Sequence, residues 1–224
     1  MREPDVPAKP GDDPSDSEHE LINSLASIVG FSEVIRRDPA LPEELRRSAD
    51  LLLEEANRTR RLVQGLLDAA REPSTASTAT AAQDPAGAAA AQAPDAPRPR
   101  VLVLDDEATF RLFLEKALEL LGYEPVITTM GAEAVERAAD GDLAALLVDH
   151  QMPGVSGTEA YEALVAAQPD LAPRLILMSG DVLDPILEAF ATRHAVTLLA
   201  KPFDLDTLDG TIRAVIAATG QVRG

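Results

Sequence analysis

The chain has 224 residues, with 20 basic against 38 acidic side chains and a formal net charge of −18. That balance repels nucleic acid and anionic membrane surfaces. It contains no cysteine, which excludes disulfides, thiol catalysis and cysteine-ligated metal centres, and only 3% aromatics with no tryptophan, which leaves little for stacking on bases.

The opening Met1-Arg2-Glu3-Pro4-Asp5 lacks the basic-then-apolar pattern of a signal peptide, and no apolar run reaches the ~18 residues of a membrane span. A soluble, cytoplasmic protein is expected. Residues 1–16 are rich in breakers, including Lys9-Pro10-Gly11-Asp12-Asp13-Pro14, and read as a disordered N-terminus.

From Leu21 the apolar residues fall at helical spacing: Leu21, Leu25, Ile28, Ser32 and Ile35, widened by Ile22, Val29 and Phe31. Ser17-x-x-Glu20 has the form of a capping box, which predicts a helix start near Ser17. Arg37-Asp38-Pro39-Ala40-Leu41-Pro42 breaks this helix, and Pro42-Glu43-Glu44 suits the first turn of the next. The second helix carries Leu45, Ala49, Leu52, Ala56, Thr59, Val63, Leu66 and Ala70, alternating spacings of four and three that describe a coiled-coil seam. Leu53, Leu62 and Leu67 lie beside it. A lone hairpin over 17–72 would leave these leucines partly exposed, so two hairpins are expected to associate into a four-helix bundle.

Residues 73–98 are almost entirely Ala, Pro, Ser, Thr, Gln and Asp, with nothing to bury, and read as a disordered linker. Such a coil spans roughly 28 Å on average, enough to let the flanking parts meet. Beyond it, over 99–219, five short apolar runs alternate with amphipathic stretches: Val101–Leu104, Val126–Thr128, Ala145–Val148, Leu175–Met178 and Val196–Leu199. Five βα units predict an α/β flavodoxin-like domain, a doubly wound parallel sheet of order 2-1-3-4-5.

In that order Asp105 and Asp106, after the first strand, and Asp149, at the end of the third, converge on one crevice. Three carboxylates with room for water suit Mg²⁺ or Mn²⁺. Ser179 and Lys201 end the fourth and fifth strands and add a hydroxyl and a cation. The set suits transfer of a phosphoryl group onto a carboxylate. The plainer alternative is that the acids only cap helix starts. A nucleotide-binding domain is disfavoured, because Asp105-Asp106-Glu107 stands where a glycine-rich phosphate loop would be.

Leu104-Asp105-Asp106-Glu107, Val148-Asp149-His150-Gln151-Met152-Pro153-Gly154-Val155-Ser156-Gly157, Met178-Ser179-Gly180 and Ala200-Lys201-Pro202-Phe203 together resemble the receiver domain of two-component response regulators. That resemblance implies that Asp149 is the phospho-acceptor and that Asp105, Asp106 and the Gln151 backbone carbonyl help hold the metal. It also implies that Ser179 is the switch hydroxyl, that Lys201 contacts the phosphoryl group and that the Lys201-Pro202 bond is cis. Two positions depart from the pattern: Leu198 stands where an aromatic is usual, and Gly180 where alanine is common.

The run from His19 to about Glu72, with Ile28-Val29-Gly30-Phe31-Ser32-Glu33 and the Leu66-Leu67-Asp68 close, resembles the dimerisation and phosphotransfer hairpin of sensor histidine kinases. By that resemblance His19 is a phospho-accepting imidazole, Glu20 its acid–base partner, and Asn23 the residue that positions a hydrolytic water. Ser24 replaces the family's proline. No ATP-binding domain is expected between hairpin and receiver, and no DNA-binding output domain is expected after it. The expectation is a phosphorelay protein resembling a hybrid histidine kinase without its catalytic domain, working with a histidine kinase or response regulator in trans and dimerising through the hairpin. The alternatives are a phospho-aspartate phosphatase acting through Glu20-x-x-Asn23, and a dimeric receiver that only switches partners. His150 and His194 are expected to be ordinary surface or loop residues.

Overall fold

The computed structural model describes residues 14–70, 97–139 and 142–220. Two helices come first, α1 (Pro14–Arg37) and α2 (Glu43–Ala70), joined by the Asp38–Pro42 turn. Helix α1 begins with proline, whose missing N–H costs nothing in a first turn. Ser17 therefore lies within the helix and is not its cap, and Glu20 loses the capping role expected of it. The three residues 14–16, expected in the disordered N-terminus, are the first turn of α1; residues 1–13 and most of the expected linker lie outside the described residues.

The expected seam on α2 divides. Ala49 and Ala56 are buried, whereas Leu45 and Leu52 are more than half exposed, as are Leu51 and Leu62. Small residues let α1 and α2 approach closely on one side, and the leucines are turned away from that contact. Leu53 and Val63 are half-buried. The side chains of Leu66, Leu67 and Ala70 lie outside the described residues.

The second part is a parallel five-stranded sheet: β1 (Arg100–Leu104), β2 (Glu124–Thr128), β3 (Leu143–Asp149), β4 (Leu175–Ser179) and β5 (Thr197–Ala200), in order β2-β1-β3-β4-β5. Between and after them run α3 (Ala108–Leu121), α4 (Gly131–Ala139), α5 (Gly157–Ala167), a short 3-10 helix (Pro169–Arg174), α6 (Pro185–His194) and α7 (Leu205–Gly220). Both faces are covered, which is why the strands are nearly continuous apolar runs. Val101, Val103, Ala145, Leu147, Ile176 and Met178 face α3 and α7, and Leu102, Leu104, Leu146, Val148 and Leu177 face the opposite layer. Individual caps set helix directions: Ser156 and Glu159 form a capping box on α5, and Gly122, at φ 88°, turns the chain out of α3.

The two parts are in contact. Ala26 of α1 is buried in the same apolar cluster as Phe110, Phe113 and Phe203, with Phe31 and Val34 packed against it. Part of the α1 stripe that the sequence assigns to a helical bundle, Phe31 among it, is spent on the sheet domain instead.

Candidate functional site

Parallel pairing of β1 with β3 aligns Leu104 with Val148, so the residues after them, Asp105 and Asp149, emerge side by side. Both are buried, while neighbouring Asp106 is exposed. One carboxylate oxygen from each of the three lies within 4.8 Å of the others. Asp149 Oδ2 is buried without a hydrogen-bond partner among the described residues. Hard oxygen donors converging around an unpaired buried carboxylate oxygen fit a divalent ion such as Mg²⁺. Gln151 is exposed, two residues beyond β3.

Lys201, just past β5, is buried among these acids. Its Nζ donates to Asp149 Oδ1 at 3.0 Å and to Asp105 Oδ2 at 3.3 Å, and lies 4.2 Å from the centroid of the Phe110 ring. The Lys201-Pro202 peptide is cis, and the Lys201 N–H donates to the Ser179 carbonyl at 2.7 Å. Ser179 is itself buried, its Oγ accepting from the Asp181 N–H at 3.1 Å. Leu198, in place of an aromatic, is half-buried.

Burial dominates the electrostatics. It pushes the Asp105 carboxyl up to about 6, against the pull of Lys201 and with the help of the Asp149 charge. Burial acts on Asp149 in the same sense, but Lys201 and His19 outweigh it and hold that carboxyl below the usual range. Two neighbouring acids are thereby driven apart, with the charge concentrated on Asp149.

Helix α1 closes the crevice. His19 Nε2 is 3.6 Å from Asp149 Oδ2, and the His19 side chain retains only 17% exposure. Asn23, one helical turn on, bridges the two domains: its Nδ2 is 2.9 Å from His19 Nε2 and its Oδ1 accepts from Lys201 Nζ at 3.1 Å. An ammonium can only donate, so Lys201 fixes which way the amide faces. In the neutral imidazole Nε2 is then an acceptor carrying a lone pair, with the hydrogen on Nδ1. Burial lowers the His19 pKa, but the neighbouring Asp149 carboxylate, which favours the protonated ring, outweighs it and leaves it raised.

Contacts far from the chemistry hold this arrangement. The Phe113 ring lies over Gly30, so close that a Cβ there would meet ring atoms at 2.2–2.5 Å, and Phe31 meets the same ring edge-on at 6.0 Å. Buried Glu33 accepts from the Leu205 N–H at 2.6 Å, at the start of α7. Arg37 donates to both oxygens of Asp206, at 3.0 and 2.7 Å, and Arg60 reaches the Pro202 carbonyl at 3.4 Å.

Of the residues singled out in the sequence, Asp105, Asp106, Asp149, Ser179, Lys201, His19 and Asn23 gather around one crevice, while Glu20 is exposed outside it. Sequence reasoning assigned no role to Glu107, whose partly buried carboxyl is pushed up by burial. Its adjacency to Asp106 was the available signal. Nor did it find Ile22, Glu33, Arg37 or Phe113 as joining residues, because their partners lie in another domain. His150 is partly buried, with an Nδ1 that lacks a partner among the described residues, and His194 packs against Phe190 and Tyr161.

Residues 101–213 match the response regulator receiver domain family, and residues 15–75 match the His Kinase A phospho-acceptor domain. Transcriptional regulatory protein PrrA of Mycobacterium tuberculosis is 33% identical over 124 residues, covering 54% of this chain and 52% of PrrA. The chain thus spans about half the length of that relative. Response regulator receiver protein CpdR of Brucella abortus is 34% identical over 120 residues, covering 53% of this chain and 98% of CpdR. The solved structure of a sensor protein from Polaromonas sp. JS666 superposes with a TM-score of 0.50 at 28% identity, covering 55% of this chain and 99% of its own. No helix among the described residues is long and apolar enough to cross a membrane.

Proposed function

Because this chain belongs to the response regulator receiver family and carries a His Kinase A phospho-acceptor domain ahead of its receiver, it works in two-component signalling, and we propose that it passes phosphoryl groups between His19 and Asp149. The observation that carries this reading is the 3.6 Å approach of His19 Nε2 to Asp149 Oδ2 within one chain.

In the forward step Asp149 Oδ2 attacks phosphorus on Nε2 as the N–P bond breaks. The imidazole leaves neutral, keeping the electron pair on Nε2 and a proton on Nδ1, and an acyl phosphate forms on Asp149. Lys201 neutralises charge developing on the phosphoryl oxygens, and Asn23 holds the imidazole by its Nε2 edge between turnovers. Asp105, Asp106 and Asp149 would hold a divalent cation, which when bound supplies further neutralisation of those oxygens. Ser179 is the hydroxyl available to a phosphorylated Asp149. Packing of α1 leaves Asp149 buried and His19 only 17% exposed, which limits water at the reacting atoms.

A histidine kinase in trans is the source of phosphoryl groups in this reading. The apolar residues left exposed at seven-residue spacing, Leu21 and Ile28 on α1 and Leu45 and Leu52 on α2, suit association with a second hairpin. Hydrolysis by Asn23 is less well supported, because the imidazole occupies the approach to Asp149 that an in-line water would need, and the Asn23 oxygen is taken by Lys201.

The test loads Asp149 with acetyl [³²P]phosphate in Mg²⁺ and follows alkali-stable label, the signature of phosphohistidine. Label that appears in the native chain and is lost in His19→Ala supports transfer. Label on Asp149 that never becomes alkali-stable, and decays equally with and without His19, overturns it.

A further inference from the structure

Gly180 directly follows Ser179 at the rim of the crevice. Its backbone lies outside the left-handed region, unlike that of Gly122 and Gly154, at φ 88° and 84°. The main chain therefore gives no reason for glycine here. The reason comes from the other domain: a Cβ at this position would lie 2.9 Å from Cδ1, 3.2 Å from Cγ2 and 3.6 Å from Cβ of Ile22. Ile22 is 7% exposed, three residues beyond His19 and next to Asn23. The turn of α1 that aims the imidazole and the amide is thus the turn seated on Gly180.

Gly30 repeats the device from the opposite side, eight residues along α1, where the receiver supplies the side chain and the hairpin the space. The two close approaches are separated by roughly 12 Å of helix. Together they fix α1 in both translation and rotation. A β-branched side chain is stiff at χ1, so Ile22 cannot swing aside to admit a larger neighbour.

We propose that Gly180 is a specificity-determining position, a notch that admits a branched side chain three residues after a donor histidine and so matches this receiver to its own hairpin. The proposal rests on the transfer reading above. Alanine at 180 crowds the Cδ1 and Cγ2 methyls of Ile22 and slows transfer a few-fold. Valine there lifts the turn carrying His19 and Asn23, and slows transfer by at least about tenfold, as overpacking of a close contact does. Shortening Ile22 restores the fit.

The test uses the full chain, which contains no cysteine, so that Arg47→Cys on α2 and Glu119→Cys on α3 are the only sites for nitroxide labels. In the parent the inter-label distance distribution is narrow. Gly180→Val broadens it, and Ile22→Ala added to Gly180→Val narrows it again. Alkali-stable label passing from Asp149 to His19 follows the same order, while loading of Asp149 by acetyl phosphate persists in every variant and reports a folded receiver. An unchanged distance and transfer rate in Gly180→Val, or a defect that Ile22→Ala does not repair, overturns the proposal. Absence of alkali-stable label in the parent overturns the transfer reading instead, and is told apart because it requires no substitution.

Discussion

Lys201 Nζ donates to Asn23 Oδ1 at 3.1 Å across 178 residues of sequence, joining the lysine of the receiver to the helix that carries His19. The same nitrogen binds Asp105 and Asp149, so one buried cation ties the acceptor carboxylate to the orientation of the donor imidazole. Removing the amide leaves the imidazole without its orienting partner. Asn23→Leu is expected to slow transfer by about ten- to a hundredfold, the order of loss when a reacting group is misplaced. Loading of Asp149 by acetyl phosphate persists. Unchanged transfer kinetics would remove Asn23 from the positioning role.

The pH dependence of metal stabilisation follows from Asp105. Its carboxyl is raised to about 6 by burial first, so between about pH 4 and 6 the folded chain binds more protons than the unfolded one. Stability of the metal-free chain therefore falls as pH rises through that window. Asp149, held below its usual range, acts in the opposite sense and only at lower pH. A divalent cation offsets the exposed cost, so Mg²⁺ raises Tm more at about pH 7.5 than at about pH 5. A gain independent of pH contradicts the assignment of Asp105 to the metal site.

Glu33 is buried in α1 and accepts from the Leu205 N–H, an amide that the first turn of α7 leaves free. Glu33→Ala strands that donor and is expected to cost about 1–3 kcal/mol, whereas Glu33→Gln keeps an acceptor and costs less. Hydrogen exchange at the Leu205 amide is the readout, accelerated in the alanine variant and largely restored by glutamine. Equal exchange in all three proteins would show that the amide has another partner.

Phe113 belongs at once to the receiver core and to the contact with Gly30. Phe113→Ala is expected to lower unfolding stability by about 3–5 kcal/mol through the cavity it leaves. Gly30→Leu leaves that core intact but drives a side chain into the ring, so it separates the hairpin while Asp149 loading is preserved. Calorimetry of the two variants distinguishes loss of the core from loss of docking.

The exposed leucines of α2 give a prediction on assembly. Leu52→Arg places a charge at the centre of the face left unused by the receiver, and sedimentation should show a dimer converted to monomer. A native chain that sediments as a monomer would instead leave that face for a different partner.

The receiver was legible because its information is local: each strand is a short apolar run, and each functional residue sits at a strand's carboxyl end, where a parallel sheet must gather them. Asp105, Asp149, Ser179 and Lys201 are therefore brought together by spacing and strand order alone. The hairpin was legible only in part. Its period showed two helices, but period reports that a face is buried and not what buries it. The Ser17 cap reading failed because Pro14 starts the helix three residues earlier, and the α2 seam divided because Ala49 and Ala56 pack within the hairpin while Leu45 and Leu52 do not.

By itself the sequence determined the sheet order, the carboxylate cluster and the presence of a candidate donor histidine. The tertiary structure decided that this histidine faces that aspartate in the same chain, which end of the Asn23 amide it meets, and why Gly30 and Gly180 lack side chains. The reason is physical: strand-end chemistry follows from backbone pairing rules, whereas the fit of one domain on another depends on gaps of a few tenths of an ångström between residues more than eighty positions apart, and no periodicity encodes them.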